Sequence, residues 1–240
     1  MTTRLTAWAA GRRSRAALLT RRFLGVPDQG DEALAQALAA EIGAERPATL
    51  AGGAWQLIEL MDLGPLPEAL ADGLVGEIEK SAAPPLPLLL PTGTRIADVE
   101  SARIAGEALA LRALTKAHRQ DDPRVRGRLD TLARRGPDFD GVTRRASALH
   151  GLAADAVHYP HATTRLVDEL ARAQRPDGGW GEAGAFHVVQ ALLSVEHAEA
   201  TEALRRALPQ LEAVRGADGG YGSDERGWIA ARWLRRSGRA

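Results

Sequence analysis

Turn-forming residues recur along this chain with a period near 40 residues, and that spacing constrains the fold more than any other feature. Pro47, Pro91, Pro137, Pro176 and Ala217 mark the turns, separated by 44, 46, 39 and 41 residues. A period of this size accommodates one pair of helices per unit, each pair burying its apolar face against its neighbours. The last three units read RRGPDFDGV, AQRPDGGWGEA and VRGADGGYGSD; each closes one helical pattern with glycine or proline and opens another.

The two helices of a unit differ in pattern. Leu204, Leu208, Leu211 and Val214 form one stripe with Glu202, Arg205, Arg206 and Glu212 off it, as expected of a helix with one face in water; Leu166, Val167 and Leu170 repeat this. After each turn the apolar residues spread round the helix: Phe186, Val188, Val189, Leu192, Leu193 and Val195, or Ala146, Ala148, Leu149, Leu152, Ala153 and Val157. These helices should be buried on two sides. The pattern predicts helices near 31–43 paired with 48–63, 67–81 with 97–118, 123–135 with 142–157, 162–174 with 183–197, and 199–214 with 224–236. The expected fold is all-α, an α/α toroid of about five to six helix hairpins in one domain over residues 1–240; an open solenoid shares the pattern. A further basic helix over about 3–24 either closes the ring beside the last hairpin or frays as a terminus.

Charge and composition narrow the function classes. Basic and acidic residues number 31 each, so no bulk charge points to nucleic acid. The absence of cysteine rules out disulfides, thiolate-bound zinc and cysteine nucleophiles. The apolar run from Ser81 to Thr94 is broken by Pro84, Pro85, Pro87 and Pro91 and is shorter than a membrane span. The N-terminal segment carries Arg4, Arg12, Arg13, Arg15, Arg21 and Arg22 without an acid, as transit peptides do, but lacks the apolar core of a secretion signal. The default expectation is a cytoplasmic protein, with peripheral membrane contact open to the N-terminal helix through Leu5, Trp8, Leu18 and Leu19.

The segment Gln174-Arg175-Pro176-Asp177-Gly178-Gly179-Trp180-Gly181 resembles the glutamine–tryptophan repeat motif shared by squalene–hopene cyclases, bacterial diterpene cyclases and protein prenyltransferase subunits. Ala217-Asp218-Gly219-Gly220-Tyr221-Gly222 is similar to a degenerate second copy. The motif has a structural mechanism: glycines take positive φ, the aspartate caps the following helix, and the aromatic ring packs between hairpins. It speaks for the helical-barrel fold of those proteins. The repeat supports the resemblance over roughly residues 122–240, and the first half of the chain matches only in period.

Pro137-Asp138-Phe139-Asp140-Gly141-Val142, with the tryptophan turn 36 residues beyond, is similar in order and spacing to the proton-donor segment of terpene cyclases that begin by protonation. The resemblance implies Asp140 as proton donor, assisted by Asp138; Gly141 stands where the family has a third acid. Such a donor needs a dry pocket that keeps it protonated, whereas either aspartate at a helix start also reads as a simple cap. The family's aromatic-lined cavities imply Trp55, Phe186, Trp228 and Trp233 as residues around an isoprenoid chain, each alternatively core. Arg134, Arg135, Arg144 and Arg145 offer guanidinium groups for a diphosphate head group, Arg144 and Arg145 being the preferred pair, or else form a solvated face.

The implied activity is protonation-initiated cyclisation of an isoprenoid, of isomerase or lyase type. It requires no cofactor, though magnesium would accompany a diphosphate. Because the family generally sets this site between two helical domains, either the chain works alone or a second copy of it or another protein supplies the second wall. The rival reading keeps the fold without the chemistry: a binding or scaffold protein for an apolar ligand or a protein partner. The six histidines lack the helical ligand spacing of a metal site, and His158 and His161 flank Tyr159-Pro160 at an expected exposed turn. Asp121-Asp122 before Pro123 reads as a helix cap, and the glycine-rich turns lack the lysine and hydroxyl of a phosphate-binding loop.

Overall fold

Small polar side chains set the starts of the principal helices. Ser14, Thr49, Asp98, Asp122 and Ser223 each accept a hydrogen bond from a backbone N–H two or three residues further on. The computed structural model describes residues 2–64, 66–80, 85–181, 184–217 and 220–238. Within them the chain forms α1 (Thr2–Ala10), α2 (Arg15–Leu24), α3 (Asp31–Ala44), α4 (Leu50–Leu63), α5 (Glu68–Ile78), α6 (Val99–Lys116) and α7 (Pro123–Arg135). There follow α8 (Val142–Leu152), α9 (Pro160–Arg172), α10 (Ala185–Leu192), α11 (Ala198–Arg206), α12 (Leu208–Ala213) and α13 (Asp224–Arg236). Among the described residues the protein is all-α apart from one antiparallel hairpin, β1 (Leu88–Leu89) with β2 (Arg95–Ile96), in which Leu88 pairs with Ile96 and Leu89 with Arg95.

The expected helices are present, with corrections at their ends; α3 packs with α4, α5 with α6, α7 with α8 and α11 with α13 as expected, whereas α9 packs chiefly on α8 and α11 and not on α10. The single basic helix over 3–24 is two helices, because Ser14 caps a new start after the turn at 11–13; its side chain accepts from Ala17 N–H at 3.3 Å. The helix over 199–214 is broken between α11 and α12, where Pro209 in the first turn of α12 lacks the N–H needed to continue the ladder. The helix expected to reach 157 stops at Leu152 and tightens into a 3₁₀ turn over Ala153–Asp155. Nothing in the helical period announced the β-hairpin.

α6 packs between α4 and α8, α8 against α10, α10 against α13, α13 against α2, and α2 against α4. The other helices lie on this set: α3 on α4, α5 on α4 and α6, α7 on α6 and α8, α9 on α8, and α11 on α10 and α13. Burial follows the predicted division. α6 buries Ala102, Ile104, Ala105, Leu109, Leu111 and Leu114 round most of its circumference, whereas α7 buries only Val125, Leu129 and Leu132. One apolar cluster runs from Leu5 to Leu234, and each fully buried leucine contributes about 1.5–3 kcal/mol. Leu5, Trp8 and Leu18, three of the four residues that could offer lipid contact, are buried, and Leu19 is half-buried. Among the described residues no helix is long and apolar enough to cross a membrane.

Candidate functional site

The turn at 174–181 joins hairpins through hydrogen bonds and a buried ring. The Gln174 side chain donates to the carbonyls of Gly178 and Ala203, both at 2.9 Å, tying the end of α9 to α11. Trp180 is buried and its Nε1 donates to the Leu170 carbonyl at 2.8 Å. Gly178 has φ +82°, and a Cβ there would lie 2.2 Å from the Arg206 carbonyl oxygen, so only glycine fits. Asp177 accepts from Gly179 N–H at 2.8 Å, holding the turn itself and not the next helix. Of the second copy, Asp218 and Gly219 lie outside the described residues; Tyr221 is buried and Gly216 N–H donates to the Gly220 carbonyl, as Arg175 N–H does to Gly179.

The acidic segment sits at the protein surface. Asp138 ends a 3₁₀ turn over Gly136–Asp138 and accepts from Arg165 at 2.8 Å, with both side chains exposed. Asp140 is exposed, and Gly141, the residue before α8, leaves the helix without a side-chain cap, so neither aspartate caps it. Neither has the burial that the proton-donor role demands. A depression at the start of α8 is lined by Val142, Thr143, Arg95 and Trp180, not by the two aspartates. Arg144 donates to Ser101 at 2.9 Å and pairs with Asp98 at 3.1 Å; Arg145 lies 3.7 Å from Glu169 and its Nε lacks a hydrogen-bond partner. These two guanidinium groups face different neighbours and do not converge on one head-group site.

The four expected aromatic residues also separate. Phe186 and Trp233 meet edge to face at 6.3 Å in the core, where Trp233 Nε1 donates to the Leu204 carbonyl at 2.7 Å. Trp55 and Trp228 are half-buried and carry arginines on their faces, Arg15 at 4.9 Å and Arg232 at 5.7 Å. Of the four, Trp55 alone lines the small void of about 20 Å³ that the described residues of α4, α6, α8 and α10 enclose. The β-hairpin covers that void with Leu90 and Pro91 and is tethered to α13, whose Arg226 donates to the Thr92 carbonyl at 2.7 Å.

Two features stand out in their place. The first is a cleft of about 410 Å³ between α4, α5 and α6, walled by Pro47, Leu50, Ala51, Leu70, Gly73 and Leu74. Its polar edge is Arg103, paired with Glu100 at 2.8 Å and Glu107 at 3.1 Å. The second is a charged cluster where α2, α4, α6 and α13 face one another. Arg15, only 5% exposed, pairs with Glu59 at 3.2 Å, Asp62 at 2.5 Å and Glu225 at 2.5 Å, and Lys116 also reaches Asp62 at 3.1 Å. Burial pushes the Glu59 and Glu225 carboxyls above the usual range against the pull of Arg15.

His158 and His161 are exposed at their turn, but His150 and His187 are buried inside. Burial holds His187 down to about 4 and drives His150 well below 6.5, with the charges of Arg112, His187, Arg232 and Lys116 adding to the latter. Ser147 Oγ lies 3.0 Å from His187 Nε2 while its hydroxyl donates to the Thr143 carbonyl at 2.9 Å. The serine therefore accepts from the imidazole and is not activated as a nucleophile. Asp122 caps α7 as expected, and its hydrogen bonds to Arg124 hold it down to about 2. Among the described residues no three acidic or histidine side chains are grouped to hold a metal ion.

The interior ionic residues were not singled out from sequence. The signal was clearest on α4, where Glu59 and Asp62 are the two charges of an otherwise uncharged helix; Arg112, Lys116 and Arg232 lie on helices that carry other charges as well. Comparison with family models, with curated proteins and with solved structures finds no match to this chain.

Proposed function

We propose that the six helix hairpins close into an α/α toroid, with α2, α4, α6, α8, α10 and α13 as the inner ring, and that the toroid serves as a binding protein for an apolar ligand of isoprenoid type. The ring reading is supported by the order of helix neighbours, which returns from α13 to α2 and on to α4. The binding reading rests on the cleft between α4, α5 and α6: its volume of about 410 Å³ lies within the range of small-molecule sites, and its walls are chiefly apolar with one ionic edge. A concave site of this size suits a small ligand better than the broad, flatter surface of a protein interface.

Cyclisation by Asp140 is left out of this proposal because the carboxylate is exposed and faces no enclosed apolar space. The test has two arms. Farnesol is titrated into wild type and into Gly73→Trp, a position where an added Cβ meets nothing within 4 Å and the indole would occupy the cleft. Binding by wild type with at least about tenfold weakening in the variant supports the proposal, and equal binding overturns the cleft assignment. Wild type and Asp140→Asn are also incubated with farnesyl diphosphate, geranylgeranyl diphosphate and squalene; cyclised product from wild type alone would restore the enzyme reading.

A further inference from the structure

Each charged side chain that walls the cleft between α4, α5 and α6 already has a partner of opposite sign. These side chains are Arg103 and Glu107 of α6 and Glu77 of α5. Every nitrogen of the Arg103 guanidinium is engaged: Nε donates to Glu100 Oε2 at 2.9 Å, Nη2 to Glu100 Oε1 at 2.8 Å and Nη1 to Glu107 Oε2 at 3.1 Å. The contact with Glu100 is bidentate, among the strongest that an arginine makes. It holds the Glu100 carboxyl below its usual range and raises Arg103 in turn. Glu107 has a second cation in Arg128 of α7, whose Nε lies 3.5 Å from Oε1, and Glu77 pairs with Lys80 at 2.5 Å. The start of α4 also reaches the cleft, and there the Thr49 hydroxyl accepts from Gly52 N–H at 3.0 Å.

Such an edge discriminates between head groups on an apolar chain. A phosphate or carboxylate takes a bidentate place on Arg103 only by displacing Glu100 or Glu107, and the displaced group then faces it as a like charge. An anion that uses the remaining N–H groups of Arg103 sits beside both carboxylates, which offset the attraction. A hydroxyl meets neither conflict. The two oxygens of a carboxylate have lone pairs enough for Glu107 to accept from a hydroxyl and keep both arginines. Glu107 is 14% exposed, so little water competes for that hydrogen bond.

We propose that the cleft selects an apolar chain ending in a neutral hydroxyl over the same chain ending in phosphate or carboxylate, because Glu100 and Glu107 hold Arg103 while Glu107 accepts from the hydroxyl. The selection presupposes that the cleft is the ligand site, as proposed above. It works by exclusion: the carboxylates add little to the attraction of the right ligand and oppose the wrong one.

The full chain is titrated with farnesol and with farnesyl phosphate at one ionic strength, below the concentrations at which either ligand aggregates. Wild type should bind farnesol at least about tenfold more tightly than farnesyl phosphate, a comparison that needs no variant. Glu100→Gln removes a half-exposed carboxylate from Arg103 and should bind farnesyl phosphate at least about tenfold more tightly than wild type does. Adding Arg103→Gln to that variant should abolish the gain. Glu202→Gln, which removes the same charge from an exposed pair with Arg205 on α11, should bind farnesyl phosphate as wild type does. Equal affinity of wild type for the two ligands, with Gly73→Trp weakening both, overturns the head-group selection and leaves the cleft as the ligand site. No gain in Glu100→Gln, or the same gain in Glu202→Gln, overturns it as well. Farnesol that fails to bind, or that binds wild type and Gly73→Trp alike, overturns the cleft assignment and the selection together.

Discussion

Arg15 at the start of α2 and Glu225 at the start of α13 meet at 2.5 Å, an ion pair between residues 210 positions apart. The same guanidinium holds Glu59 and Asp62 of α4, so one side chain neutralises carboxylates from two other helices. Replacing it with methionine preserves volume but strands those carboxylates. Arg15→Met should lose about 3–5 kcal/mol in urea unfolding, the cost of breaking a buried ionic cluster from one side. A loss below about 1 kcal/mol would mean that water already screens the cluster.

His187 gives stability a defined pH dependence. Its folded-state value, about 4, lies below the ordinary 6.5, so its contribution is present above pH 6.5 and is lost as pH falls towards 4. The window corresponds to about 3 kcal/mol. Glu59 and Glu225 act in the opposite sense, since carboxyls raised by burial favour the folded state as pH falls. Unfolding of wild type and His187→Gln at pH 7, 5.5 and 4.5 separates the terms. The gap between the two proteins should shrink or reverse towards acid, and a constant gap would remove His187 as the source.

Gly178 and Gly141 have nearly the same backbone angle, φ +82° and +80°, but different surroundings. An added Cβ at Gly178 strikes the Arg206 carbonyl, whereas at Gly141 it meets nothing within 4 Å. Gly178→Ala should therefore cost about 3 kcal/mol or more, and Gly141→Ala only the backbone term of about 1–2 kcal/mol, by chemical denaturation. Equal losses would show that φ alone matters at these turns.

Trp180→Phe keeps most of the buried ring and removes the N–H that serves the Leu170 carbonyl. The orphaned acceptor should cost about 1–3 kcal/mol. Asp138→Asn, which breaks only an exposed pair with Arg165, should change stability by less than about 0.5 kcal/mol. The same unfolding series measures both, and a large effect at Asp138 would reveal a role that its exposure conceals.

The helix pairs and the tryptophan turn were legible from sequence because their causes are local. Leu166, Val167 and Leu170 share one face of α9 whatever packs on it, and the glycines of 178–181 leave the chain few other paths. The break at Ser14 was also written locally, in a capping serine, as was that at Pro209; an apolar period read through both concealed them. The acidic segment illustrates the opposite case: order and spacing suggested a buried acid, yet spacing along the chain does not fix which way a turn faces, and the turn carrying Asp138 and Asp140 faces water.

The sequence by itself determined an all-helical chain of repeated hairpins, because hydrophobic period and turn chemistry act over a few residues. Tertiary structure alone decided which charges meet inside. Arg15, Arg112 and Arg232 lie on three helices far apart in the chain and resemble the many other arginines until packing sets them near Glu59, Asp62, Glu225 and His150. The energy that distinguishes them from surface arginines is desolvation, and desolvation exists only once the helices have closed round them.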